Sequence, residues 1–199
     1  MKHALIVAHP NPDSFNLLMA RVYEAAATAQ GDSVVMRDLY RLGFDPRLAQ
    51  SEIPGPEGFR PGDDVVAERD IIGDAQVFAF VYPLWLNTPP AMMKGYFERV
   101  FGMGFGYEHG KGGNQPLLRG RYMFSLSTSG APETWLRQTG MWDAERKLFD
   151  EHFASVCGLT VAEHLHLGGI VPMMTQAAVD QCVDAVKAAV ARNFAPSAG

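Results

Sequence analysis

The sequence of 199 residues contains only two cysteines, Cys157 and Cys182. They are not spaced as Cys-x-x-Cys and are too few for a disulfide framework, so we expect both in the core of a protein from a reducing compartment. Nothing approaches the roughly 20 consecutive apolar residues of a membrane span. The apolar run at 4–8 is too short for a secretory signal. These absences predict a cytoplasmic protein without a membrane span.

The sequence also lacks long runs of charge of one sign. Its 17 basic and 22 acidic residues give a formal net charge of −5 that is spread along the chain. Without a basic patch, neither nucleic acid nor an anionic membrane is expected as a partner, and a small molecule is favoured. The histidines share no ligand-like spacing with carboxylates, so we expect no metal. A hydrophobic fraction of 47% and the lack of internal repeats favour one domain over residues 1–199.

Short apolar or β-branched runs alternate with longer segments of helical period, which predicts a parallel sheet covered by helices on both faces. The first and third runs carry almost no charge, which places them at the centre of the sheet. The five predicted strands are His3–Ala8, Ser33–Asp38, Gln76–Tyr82, Arg121–Ser127 and Thr160–Leu167.

Helix signals lie between these strands. Gly31 stands where the first helix needs a left-handed cap, and Thr88 stands as a capping hydroxyl before a helix that runs to about Phe101. Two further helices are expected over Asp143–Cys157 and Thr175–Phe194. The segment Arg41–Asp64 is rich in proline and glycine, so we expect a long loop that is either a surface excursion or a lid or dimer arm.

Five strand–helix units fit either half of a Rossmann fold with an addition or the flavodoxin-like strand order 2-1-3-4-5. The segment His9–Asn16, which follows the first strand, lacks the glycine fingerprint that a Rossmann turn requires. The predicted fold is therefore a flavodoxin-like three-layer α/β sandwich. In either fold the ligand lies beyond the carboxyl ends of the strands, so the strand ends are the place to look for a site.

The end of the first strand carries polar groups suited to phosphate. Ser14, Asn16 and the free N–H groups of a helix start would form a seat with partial positive charge. The alternative is that Ser14 or Asn16 only caps the helix. For His9, a phosphate contact or a role in orienting the loop is favoured over general acid catalysis.

The next two strand ends have different chemistry. The segment 82–90 is apolar and aromatic, suited to a planar ring, although Trp85 could instead pack under a neighbouring helix. The segment 127–132 is small and rich in hydroxyl groups, so its backbone can approach a ligand closely. A generic turn would look similar, so a ligand site is indicated only because all three strand ends carry suitable chemistry.

Two motifs resemble the flavodoxin-like NAD(P)H:quinone oxidoreductases, a family that includes DT-diaphorase-like enzymes and the ancillary subunits of glutathione-gated potassium efflux systems. The resemblance spans nearly the whole chain. The motifs are His9-Pro10-x-x-x-Ser14-Phe15-Asn16 and Pro83-Leu84-Trp85, the latter continuing through Pro90-Ala91-Met92-Met93-Lys94-Gly95-Tyr96-Phe97-Glu98-Arg99-Val100-Phe101.

The resemblance implies a bound flavin, either FMN or FAD, and ping-pong hydride transfer from NAD(P)H to quinones. Nitro or azo reduction, or a flavin-bound regulatory role in potassium efflux, are the alternatives. It assigns the phosphate end of the flavin to His9, Ser14, Phe15 and Asn16. It assigns the ring to Pro83, Leu84, Trp85, Leu86 and Asn87 and to Thr128, Ser129, Gly130 and Ala131.

The resemblance further implies a homodimer whose active sites are shared between subunits. Tyr107 and His109, after the Lys-Gly-aromatic helix, would face the flavin of the partner, with Tyr107 as a lid and His109 as a hydrogen-bonding group for the substrate. Arg69 is a candidate phosphate ligand for either flavin.

The chain also departs from the family pattern. Leu86 and Asn87 stand where many members carry paired aromatic residues, which implies a more open or more polar pocket wall. The segment 132–142 has neither the Tyr nor the His to which a charge relay is attributed in DT-diaphorase-like enzymes, so that relay is not carried over.

Overall fold

The computed structural model describes residues 1–56 and 58–195, which form a parallel sheet, a small hairpin and two layers of helices. The strands are β1 (Lys2–Val7), β2 (Ser33–Asp38), β3 (Val77–Pro83), β4 (Tyr107–Gly110), β5 (Gly113–Pro116), β6 (Tyr122–Thr128) and β7 (Thr160–Leu167). The helices are α1 (Phe15–Ala29), α2 (Asp63–Ile72), α3 (Ala91–Val100), α4 (Glu133–Gln138), α5 (Met141–Glu145), α6 (Ala154–Cys157) and α7 (Gln176–Phe194).

The main sheet has five strands in the order β2-β1-β3-β6-β7, and every pair in it is parallel. The five-stranded parallel sheet is therefore confirmed, with β1 and β3 inside it as their lack of charge predicted. The strand labels differ from the predicted order because the antiparallel hairpin β4–β5, which the sequence analysis did not predict, precedes the fourth strand of the sheet.

Apolar side chains cover both faces of the sheet. On one face, α1 and α7 pack over a cluster that includes Leu5, Val81 and Leu126. On the other, α2, α3 and α6 pack over a cluster that includes Phe80 and Tyr96. Because both faces are buried, the central strands read as continuous apolar runs rather than as an alternating pattern.

The helix boundaries follow local signals with one exception. Ser14 caps α1 by accepting a hydrogen bond from the N–H of Leu17 at 3.3 Å, and Gly31 has a left-handed φ of 89°. Thr88, predicted as a cap, does not cap α3. Its hydroxyl donates instead to the carbonyl of Trp85 at 3.3 Å, and α3 begins after Pro90.

The long loop between β2 and α2 is fixed against α3 by a buried arginine. The Arg99 guanidinium donates to Glu52 at 2.8 Å and to Asp64 at 2.7 Å, and also to the backbone carbonyl of Asp45 at 2.6 Å. Burial alone would raise the pKa of Glu52, but these hydrogen bonds and two from backbone N–H groups outweigh it and hold the pKa at about 2. The loop is thus held by a charge network.

The helix that follows α5 is wider than an α-helix. Residues Arg146–Phe153 adopt π-helical geometry between α5 and α6, in which hydrogen bonds span five residues instead of four. Glu145 and Asp150 are five residues apart and both are buried, at 3% and 1% exposure. The wide turn lets both carboxyls face the sheet.

No helix in residues 1–56 and 58–195 is long and apolar enough to cross a membrane. Within the same residues, no group of three or more His, Cys, Asp or Glu side chains is arranged to hold a metal ion.

Candidate functional site

Three strand ends meet at the carboxyl edge of the sheet and are joined by hydrogen bonds. The side-chain amide of Asn16, at the start of α1, donates to the hydroxyl of Thr128, the last residue of β6, at 3.1 Å and accepts from it at 3.2 Å. The N–H of Leu84, after β3, donates to the Thr128 carbonyl at 2.7 Å. Thr128 therefore connects all three predicted segments.

The end of β1 leads directly into the N-terminus of α1. His9 packs its ring edge against Trp85, with 5.6 Å between ring centroids, and accepts a hydrogen bond at Nδ1 from the N–H of Asn11 at 3.1 Å. Burial lowers the pKa of His9, and the nearby Arg41 guanidinium lowers it further. A neutral His9 bonded in this way carries its proton on Nε2 and can donate it.

A tight turn with two left-handed residues follows β3. Trp85 and Thr88 exchange backbone hydrogen bonds of 3.0 and 3.2 Å around Leu86 and Asn87, whose φ angles are 53° and 61°. Positive φ at both central positions is the type I′ geometry, which asparagine tolerates and leucine does not. Leu86 is also wholly exposed at 100%. An exposed apolar residue in strained backbone marks this turn as a functional candidate.

The end of β6 is supported by the segment after β7. Ile170 donates its N–H to the Ser129 carbonyl at 2.8 Å, and Gly169 donates to the Ala131 carbonyl at 3.0 Å. Gly130, between them, is exposed. The sequence analysis did not include residues 169 and 170 in the site, because a hydrogen bond between two backbones leaves no mark on side-chain identity.

Backbone donors remain available along this edge. Among residues 1–56 and 58–195, none accepts a hydrogen bond from the following backbone N–H groups: Phe15, Asn16, Leu86, Asn87, Gly130 and Ala131. The first two lie at the N-terminus of the 15-residue helix α1, where the helix dipole concentrates positive charge. The edge therefore presents donors to an anion at one end and to a planar ring at the other.

Two adjoining apolar grooves lie beside the turn at Leu86. One of about 540 Å³ is lined by Leu86, Asn87, Met141 and Leu148. The other, of about 430 Å³, is lined by Tyr107, Leu148 and neighbouring aromatic residues. Lys94, Leu148 and Phe149 line both.

Tyr107 and His109 lie on the hairpin β4–β5, away from the three joined strand ends. Tyr107 lines the second groove together with other aromatic residues. His109 is exposed, and its Nδ1 lies 2.8 Å from Asn114 Oδ1. Arg69 does not reach the edge of the sheet as a phosphate ligand. It donates to the carbonyls of Val100 and Arg99 at 2.9 and 3.0 Å and so closes the C-terminus of α3.

A five-stranded parallel α/β fold with a helix N-terminus and two loops converging at its carboxyl edge defines a ligand-binding protein of the flavodoxin type. The chain belongs to the family described as flavodoxin-like fold, whose profile matches residues 1–190.

Named relatives agree with this assignment. The chain is 31% identical over 171 residues to an uncharacterized NAD(P)H oxidoreductase of Haemophilus influenzae, covering 85% of each sequence. It is 32% identical over 153 residues to NAD(P)H dehydrogenase [quinone] 1 of Cavia porcellus, covering 66% of this chain and 54% of the relative. A solved NAD(P)H:quinone oxidoreductase from Methanothermobacter marburgensis superposes with a TM-score of 0.84 at 25% identity, over 100% of this chain and 99% of the other.

Proposed function

We propose that this protein is a flavin-dependent NAD(P)H oxidoreductase that transfers a hydride from NAD(P)H, through the flavin, to a quinone-like acceptor. The observation that carries the proposal is the joined edge at Asn16, Leu84 and Thr128, with unpaired backbone donors at a helix N-terminus and in two loops. The NAD(P)H oxidoreductase relatives support the same reaction class.

The phosphate end of the flavin fits the start of α1. The N–H groups of Phe15 and Asn16 would donate to phosphate oxygens, and the helix dipole would stabilise their charge. Ser14 already serves as the cap of α1, so its role toward phosphate is to orient these donors. His9, with its proton on Nε2, would donate from the opposite side. Both FMN and FAD contain this phosphate.

The ring end fits the loops after β3 and β6. Trp85, with an exposed fraction of 44%, offers an aromatic face beside the free N–H groups of Leu86 and Asn87. The small residues Gly130 and Ala131 would let their backbone N–H groups approach ring heteroatoms without side chains intervening. We infer that Pro83 and Leu84 shape the turn, since their backbone is already paired with β6.

A bound flavin supplies the hydride chemistry, and the protein orients donor and acceptor against the same ring. Trp85 and Leu86 would exclude water from one side of the ring. The backbone N–H groups would stabilise negative charge that develops on it during reduction. Because the same space serves NAD(P)H and then the acceptor, a ping-pong cycle follows.

We also propose that two copies associate through the apolar grooves beside Leu86, with Tyr107 and His109 of one copy facing the site of the other. Leu148 lines both grooves and is 69% exposed, which supports an interface there. Leu148→Glu should then sediment as a monomer, and its turnover in an activity assay should be reduced. The matched control is Leu42→Glu, at an exposed leucine outside the grooves. A dimeric Leu148→Glu protein would refute this interface.

The visible spectrum after incubation with FMN or FAD, followed by gel filtration, tests flavin binding. We expect flavin bands to be retained with at least one of the two. Anaerobic NADH or NADPH should bleach them, and a quinone should restore them. Failure to retain either flavin in a protein with native circular dichroism would refute the proposal. Retention without bleaching would favour the regulatory role, and restoration by azo compounds alone would favour azo reduction.

A further inference from the structure

Two histidines and three serines form a ladder on one face of the sheet. Ser125 and Ser127 alternate along β6 and Ser129 continues the spacing, while His164 and His166 alternate along β7. Ser125 is paired with His164 and Ser127 with His166 in the strand register. Because side chains two residues apart in a strand point to the same face, all five are neighbours.

Four contacts in this ladder form an unbroken hydrogen-bonded chain. The Ser129 hydroxyl lies 3.0 Å from His166 Nε2, and His166 Nδ1 lies 2.8 Å from the Ser127 hydroxyl. The Ser127 hydroxyl lies 2.7 Å from His164 Nε2, and His164 Nδ1 lies 2.8 Å from Asp150 Oδ2. Each link joins groups that can both accept and donate a proton, except the terminal carboxylate.

The two ends of the hydrogen-bonded chain reach different parts of the protein surface. Ser129 belongs to the loop after β6 that we propose to contact the flavin ring. At the other end, His164 and Asp150 line a polar cleft of about 410 Å³, together with Arg137, Trp142, Arg146 and Glu163. The chain thus connects this cleft with the carboxyl edge of the sheet through a buried interior, since Ser127 is 0% and Asp150 is 1% exposed.

The Ser129 hydroxyl has two acceptors but one proton. It lies 2.8 Å from the Ala131 carbonyl and 3.0 Å from His166 Nε2. If it donates to Ala131, then His166 carries its proton on Nε2, Ser127 donates to His166, and His164 is protonated on both nitrogens against an ionised Asp150. If it donates to His166, the three links among the serines and histidines reverse, the link from His164 to Asp150 keeps its direction, and His164 keeps only its Nδ1 proton. The two arrangements satisfy every link from Ser129 to Asp150 and differ by one proton. In the second, the Ala131 carbonyl keeps the hydrogen bond from the Gly169 N–H.

We propose that Ser129, His166, Ser127, His164 and Asp150 form a proton relay that supplies the site with the proton consumed when NAD(P)H reduces a quinone. This inference rests on the proposed function, in which NAD(P)H, one proton and a quinone give NAD(P)⁺ and a hydroquinone. The Ser129 hydroxyl releases its proton and takes that of His166 Nε2. His166 Nδ1 takes the proton of Ser127, which takes that of His164 Nε2. Both imidazole rings then turn over. This returns the proton of His166 to the Ser129 side and presents the bare nitrogen of His164 to the cleft, where water reprotonates it.

The surroundings of the rings suit this role. Burial, together with repulsion from His164, lowers the pKa of His166 to about 4, so His166 stays neutral and can pass a proton without storing it. Glu133 and Arg137 of α4 face His166 with opposing charge. The charged groups near His164 are Glu145 of α5 and Asp150 of the π-helix, and Arg146 lies 3.9 Å from Asp150. Trp142 packs against both histidine rings.

Histidine NMR of the wild-type protein without flavin tests the relay directly. When the hydrogen-bonded chain gives up its one mobile proton at high pH, the proton of His166 should move from Nε2 to Nδ1, while His166 itself remains neutral. Nitrogen chemical shifts distinguish the two tautomers. If His166 keeps one tautomer at every pH at which the protein stays folded, the relay is refuted, whatever the flavin binding.

Ser127→Ala removes the link between the two rings, and Ser125→Ala is the matched control. Ser125 lies on the same strand and face but bonds the Asp150 carboxyl, at 3.3 Å, outside the link between the two rings. In the flavin-loaded enzyme, Ser127→Ala should slow quinone reduction about tenfold or more at alkaline pH. The loss should shrink toward acid pH, with a changed solvent deuterium isotope effect. An unaltered pH profile and isotope effect would refute the relay while leaving the proposed function intact.

Absence of flavin binding in the wild type would refute the proposed function instead. The tautomer measurement needs no flavin and separates these two failures.

Discussion

Asn16 and Thr128 exchange two buried hydrogen bonds across 112 residues of sequence. The amide of Asn16 was predicted to contact phosphate, yet its donor and acceptor are both directed to the Thr128 hydroxyl. The residue thus acts on the site by holding the first and third strand ends together, and the phosphate donors beside it are backbone N–H groups.

Asn16→Leu should therefore weaken both the fold and flavin retention. Loss of the amide leaves the Thr128 hydroxyl unsatisfied in a buried position, which costs about 1–3 kcal/mol of unfolding free energy. Urea denaturation and flavin titration measure the two effects. Thr128→Val is the partner variant, and the double variant should cost less than the sum of the two single changes. Additive costs would mean that the two residues are not coupled.

Leu86→Gly should stabilise the protein even though it removes a large side chain. Left-handed backbone costs a leucine about 1–2 kcal/mol, whereas glycine adopts it freely and costs about 0.5–1 kcal/mol through the unfolded chain. Since Leu86 is wholly exposed in the single chain, no burial within the fold is lost, and a net gain of about 0.5 kcal/mol is expected.

Leu86→Ala serves as the control, because it shortens the side chain but keeps the unfavourable φ. Its unfolding free energy should stay close to that of wild type. Both variants should raise KM for the quinone if Leu86 forms the pocket wall. A lower stability for Leu86→Gly than for Leu86→Ala would contradict the strain argument.

Gly95→Ala should loosen the long loop between β2 and α2. A Cβ atom on Gly95 would lie 2.2 Å from the carbonyl oxygen of Pro46, so the loop must shift away from α3. The clash should outweigh the gain in helix propensity, which is about 1 kcal/mol. Limited proteolysis should cut the variant within residues 41–62 sooner than wild type. Gly112→Ala, where a Cβ meets nothing within 4 Å, should show wild-type cleavage.

Glu145→Gln should raise stability at alkaline pH. Burial, reinforced by the charge of Asp150, raises the pKa of Glu145 from 4.5 to about 7. A folded pKa above the unfolded value gives stability that is complete below pH 4.5 and is lost as pH rises through 7. Glutamine cannot ionise and still accepts the hydrogen bond that Tyr82 donates to Glu145.

The unfolding free energy of Glu145→Gln should exceed that of wild type by about 2 kcal/mol near pH 9 and match it near pH 4. His166 acts in the opposite sense. Its pKa is lowered from 6.5 to about 4. The contribution of His166 to the unfolding free energy is therefore present above pH 6.5 and is lost as pH falls through 4. The variant should therefore show a steeper loss of stability on acidification. Equal destabilisation at every pH would mean that Glu145 is ionised in the fold.

The sequence predicted the main sheet well because its strands are marked by composition. Ser33–Asp38 and Thr160–Leu167 were predicted with the bounds that the structure has, and the other three strands differ by one residue at each end. The hairpin β4–β5 was missed because residues such as Gly113 and Asn114 carry little strand propensity, and only pairing between the two segments makes them a sheet.

The candidate site was predicted less completely. The three strand ends were found because parallel strands bring their carboxyl ends to one edge. His164 and His166 were not predicted as site residues, since only three-dimensional pairing places them beside Ser127. The signal that could have revealed them is the alternation of Ser-x-Ser-x-Ser in one strand and His-x-His in the next, which puts all five on one face.

The π-helical segment Arg146–Phe153 makes this ladder sensitive to the deletion of a single residue. The wide turn holds one residue more than an α-helical turn, and this extra residue brings Asp150 onto the face already occupied by Glu145. Deleting a single codon in this segment would restore α-helical spacing and rotate one carboxyl away from His164. Such a chain would keep its sheet and its three strand ends while it lost the acidic end of the ladder.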